Sequence, residues 1–121
     1  MTTQEVAQQW ATYCQTGQWD KAHEELYDSN CASIEMEGAP GGIPKVVGME
    51  AIKAKGQQWG EMVGEFHGVE IEGPIVAGNH FTAVMKMDLT MKGRPRNVDE
   101  EIAVFQVENG KIVSEQFFYS V

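Results

Sequence analysis

Between Glu100 and Tyr119 the chain reads EEIAVFQVENGKIVSEQFFY, two apolar-rich runs joined by Glu108-Asn109-Gly110-Lys111. Asn-Gly supplies two residues that tolerate positive φ, which a tight two-residue hairpin requires, so the stretch is predicted to fold back as paired strands. Upstream, Phe81, Ala83, Met85, Met87, Leu89 and Met91 fall on one face of an alternating run. The mostly polar His80, Thr82, Val84, Lys86, Asp88 and Thr90 fall on the other. A period of two held over a dozen residues describes a strand with one buried face. Strands are expected near 65–72, 75–91 (bent or bulged near Gly78-Asn79), 97–107 and 111–120, with a turn at Lys92-Gly93-Arg94-Pro95. The second half of the chain is thereby committed to antiparallel sheet.

The first half reads differently. Thr2-x-x-Glu5 is a capping-box pattern that opens a helix to about Thr16, with Val6, Trp10, Tyr13 and Cys14 on its apolar stripe. Gly17 ends it, and a short second helix carries Trp19, Ala22, His23 and Leu26 on one side. In CASIEME, Ala32, Ile34 and Met36 alternate with Ser33, Glu35 and Glu37, as in a strand. Residues 38–48, GAPGGIPKVVG, are expected to be loop. A third helix is predicted from Met49 to about Met62, with Ile52, Gly56, Trp59 and Val63 on its stripe. Three helices with one early strand, then a meander of long strands, give an α+β class with helices on one face of a curved sheet.

A length of 121 residues suits one domain, 1–121, with a real core. Eighteen Asp+Glu against nine Lys+Arg leave a net charge of -9, which argues against nucleic acid or anionic membrane as a partner. Cys14 and Cys31 lack metal-ligand spacing and read as reduced packing residues. No run reaches the ~18 apolar residues of a membrane span, and the first residues lack a signal-peptide core, so a cytoplasmic protein is expected. The sequence contains no zinc spacing, no phosphate-cradling glycine motif and no nucleophile elbow, and neither cofactor nor metal is expected.

The order of elements, together with TGQWDKAHEELYDSNCASIEMEG, GMEAIKAKGQQW and the C-terminal strands, resembles the nuclear-transport-factor-2-like superfamily, which includes ketosteroid isomerase and the SnoaL-like polyketide cyclases. The closing GKIVSEQFFY is similar to the SnoaL-like group in particular. The resemblance implies a cystatin-like, cone-shaped curved antiparallel sheet wrapped on the three helices. It also implies a deep, mostly apolar cavity on the concave side for a small hydrophobic ligand, and a homodimer formed through the outer face. Carried over onto this chain, it places Val98, Glu100, Ile102, Val104, Val113, Glu115, Phe117 and Tyr119 inward. Asp99, Glu101, Ala103, Phe105, Ser114, Gln116 and Phe118 are then outward. The oxyanion-donating aspartate of ketosteroid isomerase falls on Ile102, its tyrosine on Trp10 or Ala11, and its base on Glu35 or, one register away, on Met36. Ketosteroid isomerisation is therefore not expected.

A carboxylate in an apolar cavity has its charged form destabilised and can exchange a proton near neutral pH. Glu35, Glu100 and Glu115 are the candidate acids, Glu100 and Glu115 as a pair across the Asn109-Gly110 hairpin. The alternative is that they are solvated at the rim or paired with Lys86, Arg94 or Lys111. His67 shares an alternating face with Val69 and Ile71 and titrates near neutrality, although such a histidine is more often a satisfied core residue. Trp10, Tyr13, Trp59, Met85, Met87, Phe117 and Tyr119 are expected to line the cavity, or else simply to fill the core. Asp88 reads as an outward cross-strand ion pair. Two functional classes fit: cofactor-free acid–base catalysis such as isomerisation or cyclisation, and a non-catalytic ligand-binding or dimerisation module. Hydrolysis by an activated water would need an inward arginine that the sequence does not offer.

Overall fold

The computed structural model describes residues 1–39 and 44–120. Helix α1 (Thr3–Gln15) starts at the predicted capping box: Thr2 Oγ1 accepts from the Glu5 amide at 3.1 Å, and the Thr2 amide donates to Glu5 Oε1 at 2.9 Å. Helix α2 (Trp19–Leu26) runs directly into strand β1 (Tyr27–Ile34). A short strand β2 (Lys45–Val47) and helix α3 (Met49–Met62) follow, and then β3 (Val63–Ala77), β4 (His80–Met91), β5 (Asn97–Glu108) and β6 (Lys111–Phe118).

The six strands form one mixed sheet in the order β2-β1-β6-β5-β4-β3. Only β1 and β6 are parallel. The helices cover one face. There Val6, Trp10 and Cys14 of α1, Leu26 of α2 and Ile52 of α3 meet Ile71, Phe81, Ala83, Met85, Ala103, Phe105 and Ile112 of the sheet. At its centre Phe81 and Phe105 stack with ring centroids 4.4 Å apart, and Trp10 lies 4.6 Å from Phe105. Three packed rings fill this end of the concave face with apolar contact and leave the polar side chains for the other.

Three expectations need correction. The segment 75–91 is two strands rather than one bent strand. Gly78, at φ +60, and Asn79 reverse the chain, and Ala77 pairs with His80. Strand β3 instead extends back to Val63, continuing past Gly73-Pro74 by means of an irregularity between Glu72 and Ile75. Within 38–48, Lys45–Val47 are not loop but a strand on the β1 edge, with Ala32 opposite Val47. The rest of that loop, 40–43, lies outside the described residues.

The third correction decides the site. Glu108 pairs with Lys111 across the Asn109-Gly110 turn, as expected, but a bulge follows: Val107 opposes Ile112, whereas Gln106 opposes Ser114. One extra residue in β6, Val113, slips the ladder by one position. Because side chains alternate, a slip of one turns the whole partner strand over. Glu115 therefore sits opposite Phe105, not Val104. The inward set of β5 is Glu101, Ala103, Phe105 and Val107, while Val98, Glu100, Ile102 and Val104 belong to the outer face.

Candidate functional site

Parallel pairing of β1 with β6 sets Ser33 beside Glu115 on the helix-covered face. Glu115 is 6% exposed, the most deeply buried acid among the described residues. Its carboxylate accepts two hydrogen bonds, from Tyr27 Oη at 2.5 Å and from Ser33 Oγ at 2.7 Å. Ser33 Oγ in turn accepts from Lys55 Nζ at 2.9 Å. Helix α3 delivers Lys55 because it stands three residues after the buried Ile52, on the same helical face. The ammonium also meets Glu35 Oε1 at 2.7 Å, and Glu35 Oε2 accepts from Tyr119 Oη at 2.8 Å. The result is one connected chain, Tyr27–Glu115–Ser33–Lys55–Glu35–Tyr119, with Phe117 below the ammonium at 5.4 Å from ring centroid to Nζ.

Desolvation dominates the electrostatics of these groups. Burial raises the Glu115 carboxyl above its ordinary value, although the hydrogen bonds from Tyr27 and Ser33 and the charge of Lys55 pull the other way. Tyr27 is pushed well up by burial and by the Glu115 charge, so it stays a donor. Tyr119 is raised too, by burial and by its bond to Glu35. Cys14 and Cys31, both free and buried, have thiols raised by burial and next by Glu115, Cys31 to about 12, which makes them inert packing groups.

Glu101 is the residue that sequence reasoning missed. It faces the helices from β5, opposite Met85. Burial pushes its carboxyl up to about 7, with the neighbouring charges of Glu35 and Glu115 adding to the rise and Lys55 opposing it. Both faces of β5 carry three apolar side chains, so alternation alone could not choose between Glu100 and Glu101. The bulge at Val113 makes the choice, and no residue type in the strand announces it.

Of the candidate acids, Glu35 and Glu115 come together in one network and Glu100 does not join them. Its side chain is 64% exposed and points outward, 3.8 Å from Lys86. The pairing of Glu100 with Glu115 is thus replaced by Glu101 with Glu115 and Glu35. His67 does not share the face of Val69 and Ile71. An irregularity between Phe66 and Gly68 turns it out to hydrogen-bond Thr90 at 2.9 Å, with the Glu65 carboxylate 4.0 Å away, and it joins none of Glu35, Glu101 and Glu115. Asp88 is outward as expected, but its partner is Arg96, in a two-bond pair at 2.8–2.9 Å, while Lys86 pairs with Glu72.

Among the aromatic and Met positions, Trp10, Tyr13, Met85 and Met87 are buried on the inner side, and Tyr13 Oη donates to Glu25 at 2.7 Å. Phe117 and Tyr119 border the carboxylate network, whereas Trp59 is partly exposed on α3. A shallow, open depression lined by Ser29, Val47, Gly48, Met49, Glu50, Ala51 and Ala54 touches none of Glu35, Lys55, Glu101 and Glu115. Among the described residues no three His, Cys, Asp or Glu side chains are grouped to hold a metal ion, and no helix is long and apolar enough to cross a membrane.

The family described as a SnoaL-like domain matches residues 1–119. A crystal structure from Mesorhizobium loti, described as a candidate SnoaL-like polyketide cyclase, is 34% identical with a TM-score of 0.89, over 98% of this chain and 100% of that one. A protein of ketosteroid-isomerase-like fold from Catenulispora acidiphila, solved with trimethylamine, is 23% identical with a TM-score of 0.76, over 99% and 88% of the two chains. TerC, co-crystallised with polyporic acid, shares the fold at 11% identity with a TM-score of 0.81, over 98% and 91%. No curated protein sequence matches the chain. The family match over residues 1–119, with a 34% identical structure covering 98% of the chain, makes this chain a member of the SnoaL-like family.

Proposed function

We propose that the protein transfers protons on a small, largely hydrophobic molecule without a cofactor, in an isomerase- or cyclase-type reaction at the Glu101 end of the helix-covered face. One observation carries the reading: Glu35 just past β1, Glu101 of β5 and Glu115 of β6 lie around one ammonium, and one of them has its carboxyl pushed up to about 7. A carboxyl poised near neutrality both takes and returns a proton at physiological pH. Glu101 is the proton carrier, and Glu115, held by Tyr27 and Ser33, is a fixed, buried hydrogen-bonded carboxyl behind it. Met85, Met87, Phe117, Tyr119 and Trp59 are the apolar surface offered to the ligand. The small organic ligands of TerC and of the Catenulispora protein support a small-molecule site in this fold.

The reading extends to a cytoplasmic homodimer. Ile102 and Phe118 pair across the outer face of β5 and β6 and are 48% and 42% exposed, with Val98 on the same face. Such a patch favours association, and it equally suits the second reading of a non-catalytic ligand-binding or dimerisation module. Hydrogen–deuterium exchange at the acidic C–H positions of 2-tetralone in D2O, followed by NMR, separates the two. Catalysis predicts accelerated exchange with a pH midpoint near 7 that Glu101→Gln abolishes. No acceleration by the wild-type protein refutes the acid–base reading.

A further inference from the structure

Lys55 is the one cation inside the network, and its hydrogen bonds leave something over. An ammonium carries three N–H groups. One goes to Glu35 at 2.7 Å and one to Ser33 at 2.9 Å, and no third acceptor bonds it among the described residues. The side chain is 23% exposed, so the remaining donor is neither sealed in the core nor freely solvated. Glu35, Ser33 and the Phe117 ring fix the position of Nζ from three sides, and Glu101 lies close enough to feel its charge.

We propose that Lys55 is the electrophilic partner of Glu101: its spare N–H holds the carbonyl oxygen of an uncharged ketone while the carboxylate removes the proton from the adjacent carbon. This inference rests on the acid–base reading above. In the step, the C–H bond breaks and its proton goes to a Glu101 carboxylate oxygen. The bonding pair forms the new C=C, and the negative charge arrives on the carbonyl oxygen beside the ammonium. Return of the same proton from Glu101 to either end of the enolate restores a neutral product, with no net change in electrons. A donor already fixed where charge develops stabilises the transition state without reorganising, and in a partly dry site it does so strongly. Glu35 and Ser33 are positioning residues here. They hold the ammonium in place and never touch the ketone.

The same arrangement predicts preference. With Glu35, Glu101 and Glu115 near a single Lys55, acidic groups outnumber the cation, which disfavours a ligand that arrives already as an anion. A neutral carbonyl compound, ionised only transiently, fits the charge inventory.

The test uses 2-tetralone exchange with Lys55→Met, Lys55→Arg and Glu101→Gln. Losing one such donor lowers rates by ~10² to 10³-fold in comparable sites, so Lys55→Met is expected to drop about that far, with partial recovery in Lys55→Arg. A second readout is independent of turnover: the absorbance titration of p-nitrophenol bound to the protein. The bound phenol ionises at lower pH in the wild type than in Lys55→Met if the ammonium faces the ligand oxygen. Should Lys55→Met keep full exchange while Glu101→Gln loses it, or should both proteins titrate the bound phenol alike, the role of Lys55 is refuted and the acid–base reading stands. Absent exchange in the wild type refutes the acid–base reading and this proposal together. If Lys55→Met misfolds by thermal melt, Glu35→Gln combined with Lys55→Met removes the stranded charge and carries the same expectations.

Discussion

Glu101→Gln is the substitution for which the structure makes the sharpest demand, because stability and function should move in opposite directions. The wild-type carboxyl is displaced from an ordinary 4.5 to about 7 by burial and by the charges of Glu35 and Glu115. Folding therefore favours its protonated form. Unfolded chain releases the proton near pH 4.5, whereas folded protein holds it until about 7, so stability from this group is full below 4.5 and declines as pH rises to 7. Above 7 the loss is complete, and a displacement of that size at ~1.4 kcal/mol per pH unit amounts to roughly 3 kcal/mol. Gln keeps the shape, never ionises, and escapes the penalty. Urea denaturation of both proteins from pH 4.5 to 8.5 is expected to give similar stabilities at the acid end. At pH 8 and above the variant should be more stable by about 2–3 kcal/mol, and its 2-tetralone exchange should be gone. Side-chain carboxyl ¹³C NMR should show one resonance with a midpoint near 7 that vanishes in the variant. If the two stability curves run parallel across the whole range, Glu101 is not buried among like charges and the account of the site is wrong.

Other expectations follow from the same contacts. Tyr27→Phe strips one of the two donors from the buried Glu115 carboxylate, and denaturation at pH 7 should show a loss of ~1–3 kcal/mol, shrinking as Glu115 is protonated. Phe105→Ala opens a hole beneath both Trp10 and Phe81, and should cost about 3–5 kcal/mol in the same assay. Burial lowers the His23 imidazole below its ordinary 6.5, and Nδ1 has no hydrogen-bond partner among the described residues. The folded protein thus resists protonating it, and wild-type stability should fall as pH drops below about 6.5, a slope that His23→Phe flattens in thermal melts at pH 5–8. Ile102→Lys on the outer face should shift a dimer toward monomer in sedimentation velocity without altering exchange by the site.

The resemblance to a cone-shaped fold is legible because it rests on patterns that local physics enforces. The capping box at Thr2 and Glu5, the helical stripe of α1 and the alternation of β4 each follow from backbone geometry acting over a few residues. The candidate site was legible only where a strand kept its own alternation. Glu35 is a candidate because it alternates with Ile34 and Met36, and Glu115 because the resemblance places it inward with Phe117 and Tyr119. Lys55 is not legible in the sequence, since a lysine on a helix reads as solvated until Glu35 and Ser33 are brought beside it. His67 misled because the irregularity beside Gly68 breaks the period that its neighbours suggest.

By itself, then, the sequence determined the three helices, the alternation of the long strands and the turn at Asn109-Gly110, but not the short strand at Lys45–Val47 or the chain reversal at Gly78-Asn79. Tertiary structure alone decided that Glu101, not Glu100, joins Glu35 and Glu115 at the site. The reason is that strand alternation specifies two faces but not which one is buried. That choice belongs to the pairing register, and here a single unpaired residue at Val113 sets it between two strands.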